Sequence, residues 1–286
     1  MAKIDQYLKT VERSCSGLQI KNIDETYLIN LDQRPRKLQY MHDQLSPYSI
    51  RPSRLPAIYG WGLSLRQMQD VALTFQPGMD GGEQKVYKPC LRPLEPRTAP
   101  LDATHYGQAC FHPRLTPGAI GCMLSHLSIL QDALERGHQT IWILEDDARV
   151  QENPHLLSSR ISELDALTNG EWDILYTDDR TWFEPFTPGT VWRPDLPDLQ
   201  VEPLYEHTRI GDSFYQIGGR CQAHSYIVRQ SGMKKILGFL KERGMFMAYD
   251  VEIAFIPEIK LYSLKQEVVW GGLLTNTSDT DVRYFC

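Results

Sequence analysis

Several large classes are excluded by what the sequence lacks. None of its 286 residues lies in a run approaching the roughly 20 apolar residues of a membrane-spanning helix. Met1-Ala2-Lys3-Ile4-Asp5 has no charged start followed by an apolar core, so no secretory leader is expected. No C-x-x-C pair occurs. Cys15, Cys90, Cys110, Cys122, Cys221 and Cys286 are scattered, which fits reduced thiols and excludes a zinc ribbon or a small disulfide scaffold. Positive charge is not in excess: 30 Lys and Arg against 36 Asp and Glu give −6. That balance argues against a nucleic-acid partner and against non-specific adhesion to anionic lipid. There is no glycine-rich phosphate loop, internal repeat or low-complexity tract. The expectation is a cytoplasmic globular chain with at most peripheral contact at the inner face of a membrane. Arg34, Arg36 and Lys37 form a local basic patch.

What is present alternates strand with helix. Residues 1–22 read as a short, polar, peripheral helix. Glu25 to Leu31 is a β-rich apolar run that stops at polar residues, a buried strand. Pro35 fits the first turn of a following helix, whose Leu38, Met41 and Leu45 are helically spaced. Residues 75–117 hold Pro77, Gly78, Gly81, Gly82, Pro89, Pro93, Pro96, Pro100, Pro113 and Pro117. Helices and central strands are disfavoured there, and the segment reads as a surface excursion over the site. Gly118 to Arg136 is a helix with an apolar stripe and Gly137 behind it. Strands follow at Thr140–Leu144, Trp172–Tyr176 and His224–Val228, with helices at 155–168 and 231–243 between and after them. This order implies a mostly parallel sheet flanked by helices, with ligands at the carboxyl ends of the strands.

One of those ends is acidic. Leu144 closes an apolar strand, and Glu145, Asp146 and Asp147 follow at once. Clustered, partly buried carboxylates repel each other and need a cation or strong donors. Mg²⁺ or Mn²⁺ takes oxygen ligands, often one or two carboxylates plus substrate phosphates. A helix N-terminus or a solvated turn would explain the same triplet. Asp178-Asp179 is a second acidic pair after a strand, read as a loop cap or a partner of Arg180.

Gly118-Ala119-Ile120-Gly121-Cys122-Met123-Leu124-Ser125-His126, running on to Glu145-Asp146-Asp147, resembles the G-x-x-G-C-x-x-S-H … E-D-D signature of glycosyltransferase family 25. That family includes bacterial lipopolysaccharide galactosyltransferases and collagen hydroxylysine galactosyltransferases. Looser agreement comes from Ile29-Asn30-Leu31-Asp32 with Arg34-Pro35, from Pro56-Ala57-Ile58-Tyr59-Gly60, and from Trp172–Leu175. Ala223–Ile227 with Ser231, Gly232 and Lys235, then Tyr249-Asp250 and Ser278-Asp279, extend the resemblance over about residues 24–280. Family members usually carry Arg at Gln33 and near Lys37, and Asp at Tyr59.

The resemblance implies a GT-A fold: one Rossmann-like α/β domain over 23–286. It implies a UDP-sugar donor with galactose favoured, Mn²⁺ or Mg²⁺, and inversion at the anomeric carbon. The acceptor would be a glycan or glycolipid in surface polysaccharide or lipopolysaccharide synthesis, or a protein. Asp147 is the expected metal ligand, helped by Asp146 or Glu145. Asn30, Leu31, Arg34, Ala57 and Ser125 are expected to hold the donor, and His126 to act beside the acidic loop or the donor sugar. Inversion needs a base for the acceptor hydroxyl. Asp250 is the first candidate and Glu252 the second, since two residues apart on a strand they would share a face. The competing reading is a non-catalytic nucleotide-sugar or glycan binder that retains the fold, with Gln33 and Tyr59 as its support.

Overall fold

The computed structural model describes residues 3–14, 20–79, 86–87, 100–101, 106–112, 115–179, 192–200 and 202–271. Strand β1 (Glu25–Asn30) leads to helix α1 (Pro35–Leu45), with Pro35 at its first position, and the chain returns as β2 (Ser53–Pro56). Helix α2 (Leu65–Val71) opens with a capping box between Ser64 and Gln67. Four two-residue strands follow: β3 (Leu73–Thr74), β4 (Val86–Tyr87), β5 (Pro100–Leu101) and β6 (Ala109–Cys110). Helix α3 (Pro117–Glu135) starts where Thr116 accepts the Ala119 N–H. Then come β7 (Thr140–Glu145), β8 (Ala148–Val150), α4 (Leu156–Thr168) and β9 (Ile174–Tyr176). Strands β10 (His207–Ile210), β11 (Phe214–Ile217) and β12 (Ser225–Arg229) precede α5 (Gln230–Arg243) and α6 (Tyr249–Ile253). Strands β13 (Leu261–Leu264) and β14 (Val269–Gly271) complete the described chain.

Eight strands form one sheet in the order β10-β11-β13-β9-β12-β7-β1-β2. Taking the direction of β1, the pairings set β2, β7, β9, β13 and β10 along it and β12 and β11 against it. The sheet is therefore mostly parallel in strand direction, as expected. Both faces are covered, which is why β1 and β7 are apolar almost throughout. Tyr27, Ile29, Ile141 and Ile143 pack on the α3 and α5 side, with Leu124, Leu127 and Ile236. Leu28, Trp142 and Leu144 pack on the α1 and α4 side, with Met41, Leu45, Leu157 and Ile161. Each large apolar side chain removed from water this way contributes roughly 1.5–3 kcal/mol.

Two expectations are corrected. Residues 1–22 do not form one helix: a single 3-10 turn, Ile4–Tyr7, is followed by extended chain. The backbone of Glu12 bonds across to Arg54 on edge strand β2, so its hydrogen bonds go between segments rather than along a helix. Ile4 is fully buried, so the segment is anchored in the core. The proline-rich segment is also more than a surface excursion. Its return leg buries Cys110 and Phe111 in the main core, and the His112 N–H bonds to the Phe246 carbonyl.

Candidate functional site

Strands β2, β1 and β7 end side by side, and a cleft crosses their carboxyl ends. Neighbouring strands stand about 4.8 Å apart, so the cleft spans roughly 10 Å from the end of β2 to the end of β7. Ala57, Ile58, Tyr59 and Gly60 line it after β2, and Ile29, Asn30 and Leu31 line it at β1. Lys37 of α1 and Gly118, Cys122 and Ser125 of α3 contribute, and Glu145, Asp146 and Asp147 close the β7 end. The triplet opens no helix: Glu145 is the last residue of β7, and Asp146 and Asp147 form the turn to β8.

Two glycines bring the walls together. A Cβ on Gly60 would stand 1.8 Å from the Pro117 carbonyl oxygen, and one on Gly121 would stand 2.4 Å from that of Ile58. The glycines of two separate motifs are thus a single contact between α3 and the loop after β2. Ser125 fastens it: its Oγ donates to the Gly121 carbonyl at 2.7 Å and accepts the Ile58 N–H at 2.8 Å.

Each carboxylate of the triplet is supported, with His224 shared by Glu145 and Asp147. Glu145 Oε1 lies 2.9 Å from His126 Nε2, and its Oε2 lies 3.1 Å from His224 Nδ1. His126 Nδ1 meets the Tyr226 hydroxyl at 2.9 Å, which meets the Tyr249 hydroxyl at 2.8 Å. Burial opposes ionisation of Glu145, but hydrogen bonds from His126 and His224 outweigh it and hold the carboxyl below its usual range. Asp146 accepts from Asn30 Nδ2 at 2.7 Å and faces Lys37 Nζ at 3.4 Å. Burial pushes the Asp146 carboxyl up to about 6, Lys37 opposing and Asp147 adding to the rise. Asp147 Oδ1 lies 2.9 Å from His224 Nδ1. Burial works against a charge on His224, yet Asp147 and Glu145 raise its proton affinity well above the ordinary value.

Glu145, Asp147 and His224 each offer one ligand atom, all within 4.8 Å of one another. Adjacent ligands of an octahedral ion at about 2.1 Å stand roughly 3 Å apart. The His224 distances match that spacing; the two carboxylates suit Mn²⁺ or Mg²⁺, and an ion held by His224 Nδ1 would take the place of the proton that this nitrogen shares with Glu145 and Asp147. Cys122, His126 and Glu145 also cluster, but both His126 nitrogens are engaged and burial raises the Cys122 pKa well above its ordinary value, keeping it a thiol.

The family model for glycosyltransferase family 25, described as a lipopolysaccharide biosynthesis protein, matches residues 23–253. The chain belongs to glycosyltransferase family 25. A Drosophila pseudoobscura pseudoobscura "Glycosyltransferase 25 family member" is 25% identical over 190 residues, covering 66% of this chain and 25% of the relative. A Drosophila melanogaster namesake is 23% identical over 232 residues, covering 81% and 30%. The human "Inactive glycosyltransferase 25 family member 3" is 26% identical over 222 residues, covering 78% and 30%. The chain thus spans between 25% and 30% of the length of these relatives. Apo-UDP-glucose pyrophosphorylase overlaps 55% of either chain at 10% identity and a TM-score of 0.30, a likeness too slight to build on.

For this family 25 chain the cleft brings together Asn30, Leu31, Ala57, Ser125, Glu145, Asp146 and Asp147 as expected residues. Four expectations change. Arg34 is exposed and outside the cleft lining; its carbonyl accepts from Asn30 Nδ2, and Lys37, one turn on, is the cation in the wall. His126 is fully buried with both nitrogens occupied, so it positions Glu145 and does not face a substrate. Glu252 is an internal anchor: it pairs with Arg193 and accepts the N–H groups of Phe246 and Met247 at 2.6 Å each. Tyr249–Ile253 is a helix, where residues two apart diverge by about 200°, so Glu252 and Asp250 part company. Asp250, like Arg34, is outside the cleft lining; half-buried, it accepts N–H bonds from Gln222 and Val251, and burial raises its pKa.

Asp178 pairs with the buried Arg220 at 2.6 Å and Asp179 with His207 at 2.9 Å, both structural; Arg180, the expected partner, lies outside the described residues, as do Ser278 and Asp279. His224 is the residue missed. Because β12 runs against β7, its first residue Ser225 sits opposite Leu144, and His224 stands at the acidic edge. Gly271 leaves room for it, since a Cβ there would stand 2.2 Å from the imidazole Cδ2. The available signal was a histidine opening an apolar strand.

Proposed function

We propose that this chain moves a hexose, with galactose favoured, from a UDP-sugar to a hydroxyl of a glycan or glycolipid. Inversion at the anomeric carbon, Mn²⁺ or Mg²⁺ dependence and a role in surface polysaccharide or lipopolysaccharide synthesis belong to the same reading. The observation that carries it is the convergence of Glu145, Asp147 and His224 at one end of a cleft whose other end is apolar. A nucleoside diphosphate laid across roughly 10 Å of strand ends would put its base against Ala57, Ile58 and Tyr59 and its diphosphate at the triplet. Lys37 would face the diphosphate.

Asp147, Glu145 and His224 would hold the divalent ion, which when bound offsets the charge that grows on the departing diphosphate. Asn30 keeps Asp146 directed into the cleft. Asp250 is the assigned base: the acceptor O–H proton passes to its carboxylate and the acceptor oxygen bonds to the anomeric carbon. The bond from that carbon to the phosphate oxygen breaks, and UDP leaves with the electron pair. Burial raises the proton affinity of Asp250, the direction a base requires.

A second reading, a non-catalytic nucleotide-sugar or glycan binder, is favoured by the relatives named inactive and by the backbone N–H bonds to both Asp250 oxygens. No helix among the described residues is long and apolar enough to cross a membrane; the cytoplasm, with at most peripheral membrane contact, is the compartment proposed. The test is UDP release from a panel of UDP-sugars with Mn²⁺. Release should depend on metal, vanish in a folded Asp147→Ala variant and fall at least about 100-fold in kcat for Asp250→Asn. UDP binding without release from any donor would favour the binder. Full activity in folded Asp147→Ala would overturn the enzyme reading as assigned.

A further inference from the structure

Arg54 stands behind the cleft on edge strand β2, and nothing in the proposed chemistry uses it. Its guanidinium nonetheless reaches the site through one intermediary. Nε donates to Asn30 Oδ1 at 3.2 Å and Nη2 to the Asn30 carbonyl at 3.4 Å. Nη1 pairs with Glu12 at 2.9 Å and Nη2 with Asp32 at 2.5 Å. Asn30 then donates from Nδ2 to Asp146 at 2.7 Å and to the Arg34 carbonyl at 3.1 Å.

The chemistry of the groups sets the order of this chain. A guanidinium has only donors and a carboxylate only acceptors, so an amide between them must turn its oxygen to Arg54 and its NH₂ to Asp146. Remove Arg54, and Asn30 Oδ1 loses its Nε–H donor, leaving the amide plane to its two Nδ2 bonds, to Asp146 and the Arg34 carbonyl. Asp146 would then rest on a less firmly held amide and on Lys37 at 3.4 Å. The two ends of the relay also differ in origin. Glu12 belongs to the N-terminal strap, whose backbone bonds both ways with Arg54, at 2.7 and 2.9 Å. That strap lies ahead of residues 23–253, the stretch that the family model matches. Lys9 of the same strap donates from Nζ to the carbonyl of the cleft residue Ala57 at 3.0 Å.

We propose that Arg54 is a positioning residue of the donor site: it fixes the Asn30 amide, which fixes Asp146, and the N-terminal strap holds it in place through Glu12. The role rests on the UDP-sugar reading above. It concerns binding in the ground and transition states alike, so it acts on donor affinity rather than on turnover.

The experiment is a double-mutant cycle on the full chain. UDP affinity is measured by calorimetry with Mn²⁺ for wild type, Arg54→Met, Asn30→Ala and the double variant, with thermal midpoints alongside. Arg54→Met should weaken UDP about tenfold, raise donor KM in step and leave kcat within about twofold. In the Asn30→Ala background the same change should cost less than about twofold. Arg54→Lys, which keeps the charge and most of the bulk, should lose most of the affinity because one ammonium cannot span Asn30, Glu12 and Asp32. Glu12→Gln should cost about twofold, as expected of an exposed partner. Equal affinity losses in both backgrounds, or a lower midpoint with unchanged UDP binding, would overturn the proposal. If wild type binds no UDP, the donor reading fails, and the relay is then read directly from the Asn30 side-chain amide signals by NMR. Those signals should shift and exchange faster in Arg54→Met; unchanged signals would refute the relay by itself.

Discussion

Replacing Asp146 by Asn perturbs one atom and separates stability from function. In the folded chain burial, with the neighbouring charges of Asp147 and Glu145, lifts this carboxyl from 3.8 to about 6 against the pull of Lys37 and Asn30. The native state therefore holds the proton more tightly than the unfolded chain. Stability falls as pH rises from about 4 to about 6, and the full cost of the charge remains above that window. About two pH units at 1.36 kcal/mol each give a cost of about 3 kcal/mol at pH 8. Asparagine carries no charge and can still accept the Asn30 amide, so Asp146→Asn should gain up to about 3 kcal/mol at pH 8. On a chain of this size that is a rise of roughly 5–10 °C in Tm. The gain should shrink toward zero as pH falls from 6 to 4. Urea titrations at pH 4.5 and 8 with EDTA present measure it, and UDP binding with Mn²⁺ measures the accompanying loss of function. A variant no more stable than wild type at pH 8, or equally stabilised at both pH values, would refute the reasoning.

Other outcomes follow from the same contacts. Glu252→Gln should destabilise the fold by about 3–5 kcal/mol by breaking the buried pair with Arg193. The folded fraction should keep kcat within about threefold, and a selective loss of kcat would return Glu252 to the chemistry. Gly271→Ala should force the His224 ring out of its place, since the new Cβ would stand 2.2 Å from Cδ2. Mn²⁺ affinity read by EPR should then drop at least about tenfold, with UDP binding in the absence of metal little changed; unaltered Mn²⁺ affinity would remove His224 from the ligand set.

Local patterns carried most of the fold. Helical spacing marked α3 and α5 to within a residue or two, and apolar runs ending in polar residues marked β1 and β7. The cleft's acidic end was legible for the same reason, because Leu144 and Glu145 are neighbours in the chain. What failed depended on distant geometry or on element type. His224 reaches Asp147 only because β12 runs antiparallel to β7, and strand direction leaves no mark in a five-residue run. Glu252 was paired with Asp250 by assuming a strand where the chain makes a helical turn. Ile4 and Glu12 looked peripheral because their partners, the core and Arg54, lie far along the chain or across the sheet. Arg34 and Lys37 sit three residues apart in one basic patch, and only the path of α1 decides which of them lines the cleft.

The most direct test of the account is anomalous diffraction from crystals of the chain soaked with Mn²⁺ and UDP. The expected result is one manganese peak bonded to Asp147, Glu145 and His224, with the diphosphate beside it and next to Lys37, and the uracil toward Tyr59. Nucleotide bound away from the β7 edge, or a saturating soak that leaves Glu145 and Asp147 without metal, would contradict it.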